Sequence, residues 1–286
     1  MTKVFLVTGT SRGLGLEIAR AALAAGHALV ATARRPNLPG ELVARSGERL
    51  RQVPLDVTDP GAAETAVRTA VEAFGRLDAV VNNAGYADLA SVEDVTAEDF
   101  RAQIDTNLLG VVNVTKAALP VLREQGSGHI IQVSSVGGRV TTPGLAAYQA
   151  AKWAVGGFSE VLAQEVGPLG IKVTVLEPGG MRTDWAGSSM SIPPVSEPYR
   201  KTVGALAEQF AKGGMTMAGD PAKVAEVVLK VADLDEPPLR LLLGGDAVRY
   251  AAAVEQARAE SDARWRDLSL STDHDAATGA ELKPLG

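Results

Sequence analysis

The chain has 286 residues and no cysteine. That absence excludes a disulfide framework, a thiolate nucleophile and any cysteine-ligated metal. Histidine is scarce as well. His27, His129 and His274 are scattered, without paired carboxylates at ligand spacing, so no metal site is expected. No apolar run approaches the ~20 residues needed to span a bilayer. The N-terminus passes straight into a strand-like run at Val4, without the pattern of a secretory leader. The net charge is -6 and there is no long basic block, so neither nucleic acid nor an anionic membrane is expected as a partner. Hydrophobic residues make up 46% and charged residues 22%, close to a globular average, which points to a soluble cytoplasmic protein.

What the sequence does have is a regular alternation of strand-like and helix-like segments. Strands are expected near 3–8, 28–33, 51–55, 78–82, 129–134, 172–177 and 239–243, and each of the first six is followed by a helical stretch. Such alternation implies right-handed crossovers and a parallel sheet covered on both faces. The fold class is therefore α/β: one Rossmann-like domain around a doubly wound, seven-stranded parallel sheet. Ligands of such sheets bind at the carboxyl ends of the strands. Gly9, Asp56, Asn83, Ser135 and Pro178 all fall just past an expected strand end. Before the last strand, Asp220 can cap a helix whose first turn suits Pro221, with Val224, Val227, Val228 and Val231 as its apolar stripe.

Two local patterns suggest chemistry. Thr8-Gly9-Thr10-Ser11-Arg12-Gly13-Leu14-Gly15 follows the first strand and opens a helix. Glycines there let the backbone approach a pyrophosphate, and the helix N-terminus offers it unpaired N–H groups. Further on, Tyr148 and Lys152 stand one helical turn apart and so share a face. A lysine cation beside a phenol favours phenolate and would pull the tyrosine below its usual value of about 10.

With these two patterns in place, the chain resembles the short-chain dehydrogenase/reductase family over about its first 245 residues. Asn82-Asn83-Ala84-Gly85, Asn107, Ser134-Ser135 and Pro178-Gly179 follow in the family's order and spacing. The family's catalytic serine precedes its tyrosine by thirteen residues, which selects Ser135 over Ser134. The resemblance implies a catalytic set of Asn107, Ser135, Tyr148 and Lys152. In it Tyr148 exchanges the proton, Ser135 bonds the substrate oxygen, Lys152 holds the nicotinamide ribose, and Asn107 props a helix open and binds a water. It also implies cofactor contacts from Gly9, Ser11, Arg12, Gly13, Leu14, Asp56, Val57, Asn83, Ala84, Gly85, Pro178, Gly179, Met181 and Thr183, besides Tyr148 and Lys152.

The resemblance further places Ala33 where NAD-specific members carry an acid for the ribose 2′-hydroxyl. Arg34 follows it and Arg12 lies in the glycine turn, so two guanidiniums are available for a 2′-phosphate and NADPH/NADP+ is the expected cofactor. The implied activity is hydride transfer between NADP(H) and a ketone, aldehyde or secondary alcohol. A cofactor-binding sensor with little turnover, or an epimerase or dehydratase, are the alternatives on the same fold.

A lid is expected from about 181 to 218. Met181, Trp185, Met190, Tyr199, Phe210, Met215 and Met217 there suit either an adaptable apolar pocket or packing of the lid onto its own domain. Its glycines and prolines suggest a mobile or irregular connection. The catalytic domain should end near residue 245. Beyond it lies a C-terminal helical extension and tail (246–286), with Asp246 as a helix cap and the helix running to roughly Arg266. A homodimer or homotetramer is implied, formed through the helices beginning near Phe100 and Ala147.

Overall fold

The computed structural model describes residues 2–182, 190–211 and 217–274. Seven strands form one parallel sheet: β1 (Val4–Thr8), β2 (Ala28–Ala33), β3 (Leu50–Pro54), β4 (Ala79–Asn82), β5 (Gly128–Val133), β6 (Ile171–Pro178) and β7 (Arg240–Leu243). Their spatial order is β3-β2-β1-β4-β5-β6-β7. Every pairing is parallel, in registers such as Leu6↔Val30 and Ile131↔Thr174. The strand ends lie within one residue of those expected, because most of the strands are short apolar runs bounded by turn residues. β1 and β2 are buried along their whole length, as strands covered on both faces must be.

The helices are α1 (Gly13–Ala24), α2 (Gly40–Ser46), α3 (Pro60–Phe74), α4 (Ala97–Ile104), α5 (Gly110–Gln125), α6 (Ala146–Val166), α7 (Ala205–Ala211), α8 (Pro221–Asp233) and α9 (Gly245–Leu270). On one face, Ile18 and Ala22 of α1 and Val224 and Val228 of α8 pack with Phe5, Val7 and Leu29. On the other, Ala66 of α3, Val114 and Leu122 of α5 and Leu162 of α6 pack with Leu6, Val30 and Ile130. Alternate residues of one strand thus serve opposite layers, as strand geometry requires. The chain reverses direction across the sheet between β1 and β4, which opens a crevice at their carboxyl ends. Asp59 caps α3, accepting from Gly61 N at 2.8 Å, and Asp220 caps α8, accepting from Ala222 N at 3.0 Å.

Two features depart from the sequence reading. Gly244, not Asp246, occupies the cap position of α9, and the helix continues to Leu270. Asp246 lies inside the first turn, with its carboxylate turned toward the end of β6. The second departure is an ion-pair network. Glu177 on β6 is fully buried and meets Arg139 at 2.7 Å and Arg240 at 2.6 Å. Arg240 continues to Glu160 of α6 at 2.7 Å, and Arg139 to Glu255 of α9. Arg258 stacks over Trp153, 4.5 Å from the ring centre, and donates to Arg139 O at 2.6 Å. These contacts hold the middle of α9 against the body. From residue 255 to 274 every residue is exposed.

Candidate active site

The carboxyl ends of the strands open into one large cavity of about 1040 Å³. Its first wall is the turn from β1 into α1. Gly9 has φ +73°, a conformation that favours glycine. A Cβ on Gly15 would lie 2.1 Å from Gly9 O and 2.5 Å from Asn83 Nδ2, so the turn closes only without one. Asn83 clamps this wall, donating from Nδ2 to Thr8 O at 2.9 Å, while Thr8 Oγ1 accepts from Asn83 N and Ala84 N at 3.0 and 2.9 Å. Arg12, just ahead of α1, and Arg34, just past β2, line the cavity with exposed side chains. Asp56 accepts from Thr58 N and Oγ1 at 3.0 and 2.7 Å. Those two bonds, aided by Arg34, hold its carboxyl below the usual range. Asn113 anchors the neighbouring segment by donating to Val57 O at 3.0 Å.

The structure brings Ser135, Tyr148 and Lys152 together on the same cavity. Ser135 begins the turn after β5, and its Oγ accepts from Gly137 N at 3.0 Å. Tyr148 and Lys152 occupy the first two turns of α6 and are both buried. Lys152 Nζ lies 5.6 Å from the Tyr148 ring centre and donates to Val133 O at 2.9 Å. Ser134 also lines the cavity, its Oγ donating to Lys152 O at 3.2 Å.

The expected lowering of Tyr148 by its lysine is overturned. Burial pushes the Tyr148 phenol up to about 12, and its hydrogen bond with Ser135 opposes this only in part. Burial pulls Lys152 down from 10.5 to about 8. Removing water from each group disfavours its charged form.

Asn107 is fully buried in a wide π turn, Asp105–Leu109, between α4 and α5. Its Oδ1 accepts from Tyr86 N at 3.1 Å, and its Nδ2 donates to Tyr86 O at 2.8 Å and Gln103 O at 2.9 Å. The side chain is thus taken up by backbone and clamps the segment after β4. It does not line the cavity, although a Cβ on Gly85 would sit 2.5 Å from its Oδ1 and 3.6 Å from Lys152 Nζ. Of the remaining sequence-expected residues, Ser11, Gly13, Leu14, Val57, Ala84, Gly85, Pro178, Gly179 and Met181 line the cavity. Thr183 lies outside the described residues, as do Trp185 and Met215.

The opposite wall contains, besides Phe210 of the lid and Asp246, residues the sequence reading did not single out. Leu145, Val140 and Gln149 stand around Tyr148, and Leu206 and Phe210 come from the lid. Asp246, Arg249 and Tyr250 come from the start of α9. The described part of the lid is docked, not loose. Met190, Tyr199, Val203 and Phe210 pack with Leu89, Leu145 and Tyr148. Leu89 N donates to Ser191 O at 2.9 Å, Ser191 N to Asp88 at 2.9 Å, and Tyr199 Oη to Glu93 at 2.7 Å. Among the described residues, no three His, Asp or Glu side chains gather where they could hold a metal ion.

A short chain dehydrogenase family model matches residues 3–191. The chain is 58% identical over 273 residues to oxidoreductase BOA17 of Botryotinia fuckeliana (strain B05.10), covering 95% of this chain and all of that one. A short-chain dehydrogenase from Streptomyces avermitilis superposes with a TM-score of 0.89 at 37% identity, covering 96% of this chain and all of the other. An alcohol dehydrogenase from the archaeon Thermococcus sibiricus, complexed with 5-hydroxy-NADP, gives a TM-score of 0.69 at 29% identity over 85% of this chain and 96% of its own. The chain belongs to the short-chain dehydrogenase/reductase family and is an oxidoreductase. No helix among the described residues is long and apolar enough to cross a membrane.

Proposed function

We propose that this protein is an NADPH-dependent carbonyl reductase, running in reverse as a secondary-alcohol dehydrogenase, on apolar or bulky substrates. The observation that carries the reading is the convergence of Ser135, Tyr148 and Lys152 on a cavity whose other end is a glycine cradle. The cradle fits a dinucleotide: Gly9, Gly13 and Gly15 bring backbone to the cavity, and Arg12 and Arg34 stand where an adenosine 2′-phosphate would be gripped. A bound nicotinamide supplies the hydride. Binding of 5-hydroxy-NADP by the Thermococcus sibiricus relative supports the same choice.

Burial keeps Tyr148 protonated at neutral pH, the form that can give its proton to a developing alkoxide. Ser135 donates a hydrogen bond to the same oxygen, a contribution of order 10²-fold for such a donor. Lys152, close beneath the tyrosine, is placed to hold the nicotinamide ribose. Asn107 acts through the backbone it clamps. Val140, Leu145, Leu206 and Phe210 give the substrate end its apolar character.

The same reading assigns residues 1–245 to the catalytic domain, with 246–286 as an extension, and assembly to a homodimer or homotetramer through α4, α5 and α6. Light scattering that returned a monomer mass at micromolar concentration would refute the assembly. The activity is tested by incubating the protein with NADPH and a panel of ketones and aldehydes and following absorbance at the reduced-nicotinamide band. Oxidation of NADPH faster than of NADH is the expected result. Binding without turnover would make the protein a sensor, and substrate conversion without net oxidation an epimerase or dehydratase.

A further inference from the structure

We infer that Asp246, from the C-terminal helix, is a positioning residue for the nicotinamide end of the cofactor, acting through the turn Gly179-Gly180. The inference rests on the dinucleotide reading above and adds to it a residue outside the segment matched by the family model, which ends at 191.

The turn leaves β6 at the cavity and is gripped by three elements that follow it in sequence. Gly180 N donates to Asp246 Oδ2 at 2.8 Å. Gly179 N donates to Leu243 O at the end of β7 at 2.9 Å, and Gly219 N to Gly180 O at 2.9 Å. There is no room for side chains. A Cβ on Gly179 would lie 2.3 Å from both carboxylate oxygens of Asp246, and one on Gly180 would lie 2.4 Å from Met217 Sδ. Backbone is therefore what this turn presents to the cavity, and the carboxylate fixes how it is presented.

Gly179, Gly180 and Asp246 line the cavity with Tyr148 and Ser135 past the ends of β5 and β6, and Arg12 and Arg34 line the same cavity past β1 and β2, on the other side of β4. A disturbance at Asp246 should thus be felt by the half of a dinucleotide that reaches Tyr148, and not by the adenosine half. The bond is charge-assisted, so it is strong for one hydrogen bond. An asparagine keeps an acceptor in the same place and an alanine does not.

The test uses the full chain and its Asp246→Ala and Asp246→Asn variants. Titration calorimetry measures binding of NADPH and of 2′,5′-ADP, or of NADH and ADP if the unmodified protein prefers NADH. Hydrogen exchange followed by mass spectrometry reads residues 179–182 in the absence of nucleotide. Asp246→Ala is expected to weaken the whole dinucleotide by about tenfold, the order of one charge-assisted hydrogen bond. It should leave the adenosine fragment within about twofold and speed exchange in 179–182, while Asp246→Asn restores most of both. Equal weakening of dinucleotide and fragment, or unchanged binding and exchange, would overturn the role. An unmodified protein that binds neither dinucleotide would instead overturn the cofactor reading, and the inference with it. If the alanine variant does not fold, Asp246→Ser takes its place, with the same loss expected for the dinucleotide alone, and equal weakening of dinucleotide and fragment by that variant overturns the role.

Discussion

The two walls of the cavity are built by different means. The wall at β1 and β4 is mainly backbone packed on backbone and pinned by the Asn83 side chain: Gly9, Gly15 and Asn83 close it with contacts so tight that one methyl group would lie 2.1 Å from a carbonyl oxygen. Its residues come from two short stretches, 8–15 and 82–85, with Arg34 beside them at the end of β2. The wall facing it is assembled by side chains from segments far apart in sequence: the loop at 86–95, the lid, Met217 and the start of α9. There the side chains of Asp246 and Met217 crowd Gly179 and Gly180. A backbone wall tolerates little change and suits a constant ligand. A side-chain wall can be altered residue by residue, which is where choice of substrate belongs.

Tyr148 stands where the walls meet, so its loss should have the largest effect on activity while leaving both walls intact. Tyr148→Phe keeps the ring and its packing against Leu89 and Leu145. Turnover is expected to fall by about 10²–10⁴-fold with folding and cofactor affinity preserved. Near-normal turnover, measured where hydride transfer limits the rate, would assign the proton to another group.

Glu177 tests the second wall alone. The carboxylate is fully buried between two guanidiniums, each about a quarter exposed: 21% for Arg139 and 24% for Arg240. Glu177→Gln removes the buried carboxylate the two share, leaving Arg139 only Glu255 and Arg240 only Glu160, and should destabilise the fold by about 3 kcal/mol, the lower end for a broken buried pair because each arginine keeps an outer partner and a wet edge. Denaturant unfolding reads this. Affinity for an adenosine fragment on the first wall should not change in the protein that remains folded.

Arg34 tests the first wall alone. Arg34→Ala should weaken NADPH by about ten- to a hundredfold and NADH far less, the loss of one charged grip on a 2′-phosphate. Equal dissociation constants of the unmodified protein for the two cofactors would remove the basis of the NADPH assignment.

The smallest effect expected is a pH-dependent one at Lys152. Its folded value of about 8 lies below the ordinary 10.5. Between those values the unfolded chain binds more protons, so stability rises with pH across that window. The cost of burying the ammonium is present in full below about pH 8 and vanishes above about 10.5. At about 1.4 kcal/mol per pH unit, less about 1 kcal/mol for the lost bond to Val133 O, Lys152→Met should stabilise the protein by roughly 2 kcal/mol near pH 7. The gain should disappear by about pH 10.5. A gain that did not depend on pH would mean the lysine is not strained by burial.

The contrast between the walls also explains what could be read from the sequence. Strand positions were legible because most strands are compact apolar runs, and the glycine cradle because its parts are adjacent in the chain. Ser135, Tyr148 and Lys152 reached one cavity as expected, since Tyr148 and Lys152 share a helix face and Ser135 stands at a strand end. The ionisation of Tyr148 was not legible. A spacing of four residues sets proximity, but the depth of burial, which decides the direction of the shift, comes from the lid and from Leu89. Asn107 could be found, but not that its amide is consumed by the backbone of Tyr86 and Gln103. Asp246 reads as a helix cap in the sequence, because aspartate suits the start of the helix expected after it. Its turn toward Gly180, 66 residues earlier, depends on the pairing of β6 with β7. The Glu177 network joins positions 139, 160, 177, 240 and 255, and no local pattern marks such a set.

Transfer of label tests the central claim most directly. NADPH carrying deuterium on both C4 positions is incubated with the protein and apolar ketones, and the alcohol is analysed by mass spectrometry. The account predicts one deuterium on the carbinol carbon of at least one product, formed faster than with labelled NADH. Cofactor that binds but passes no deuterium to any substrate, or alcohol formed without the label, would contradict it.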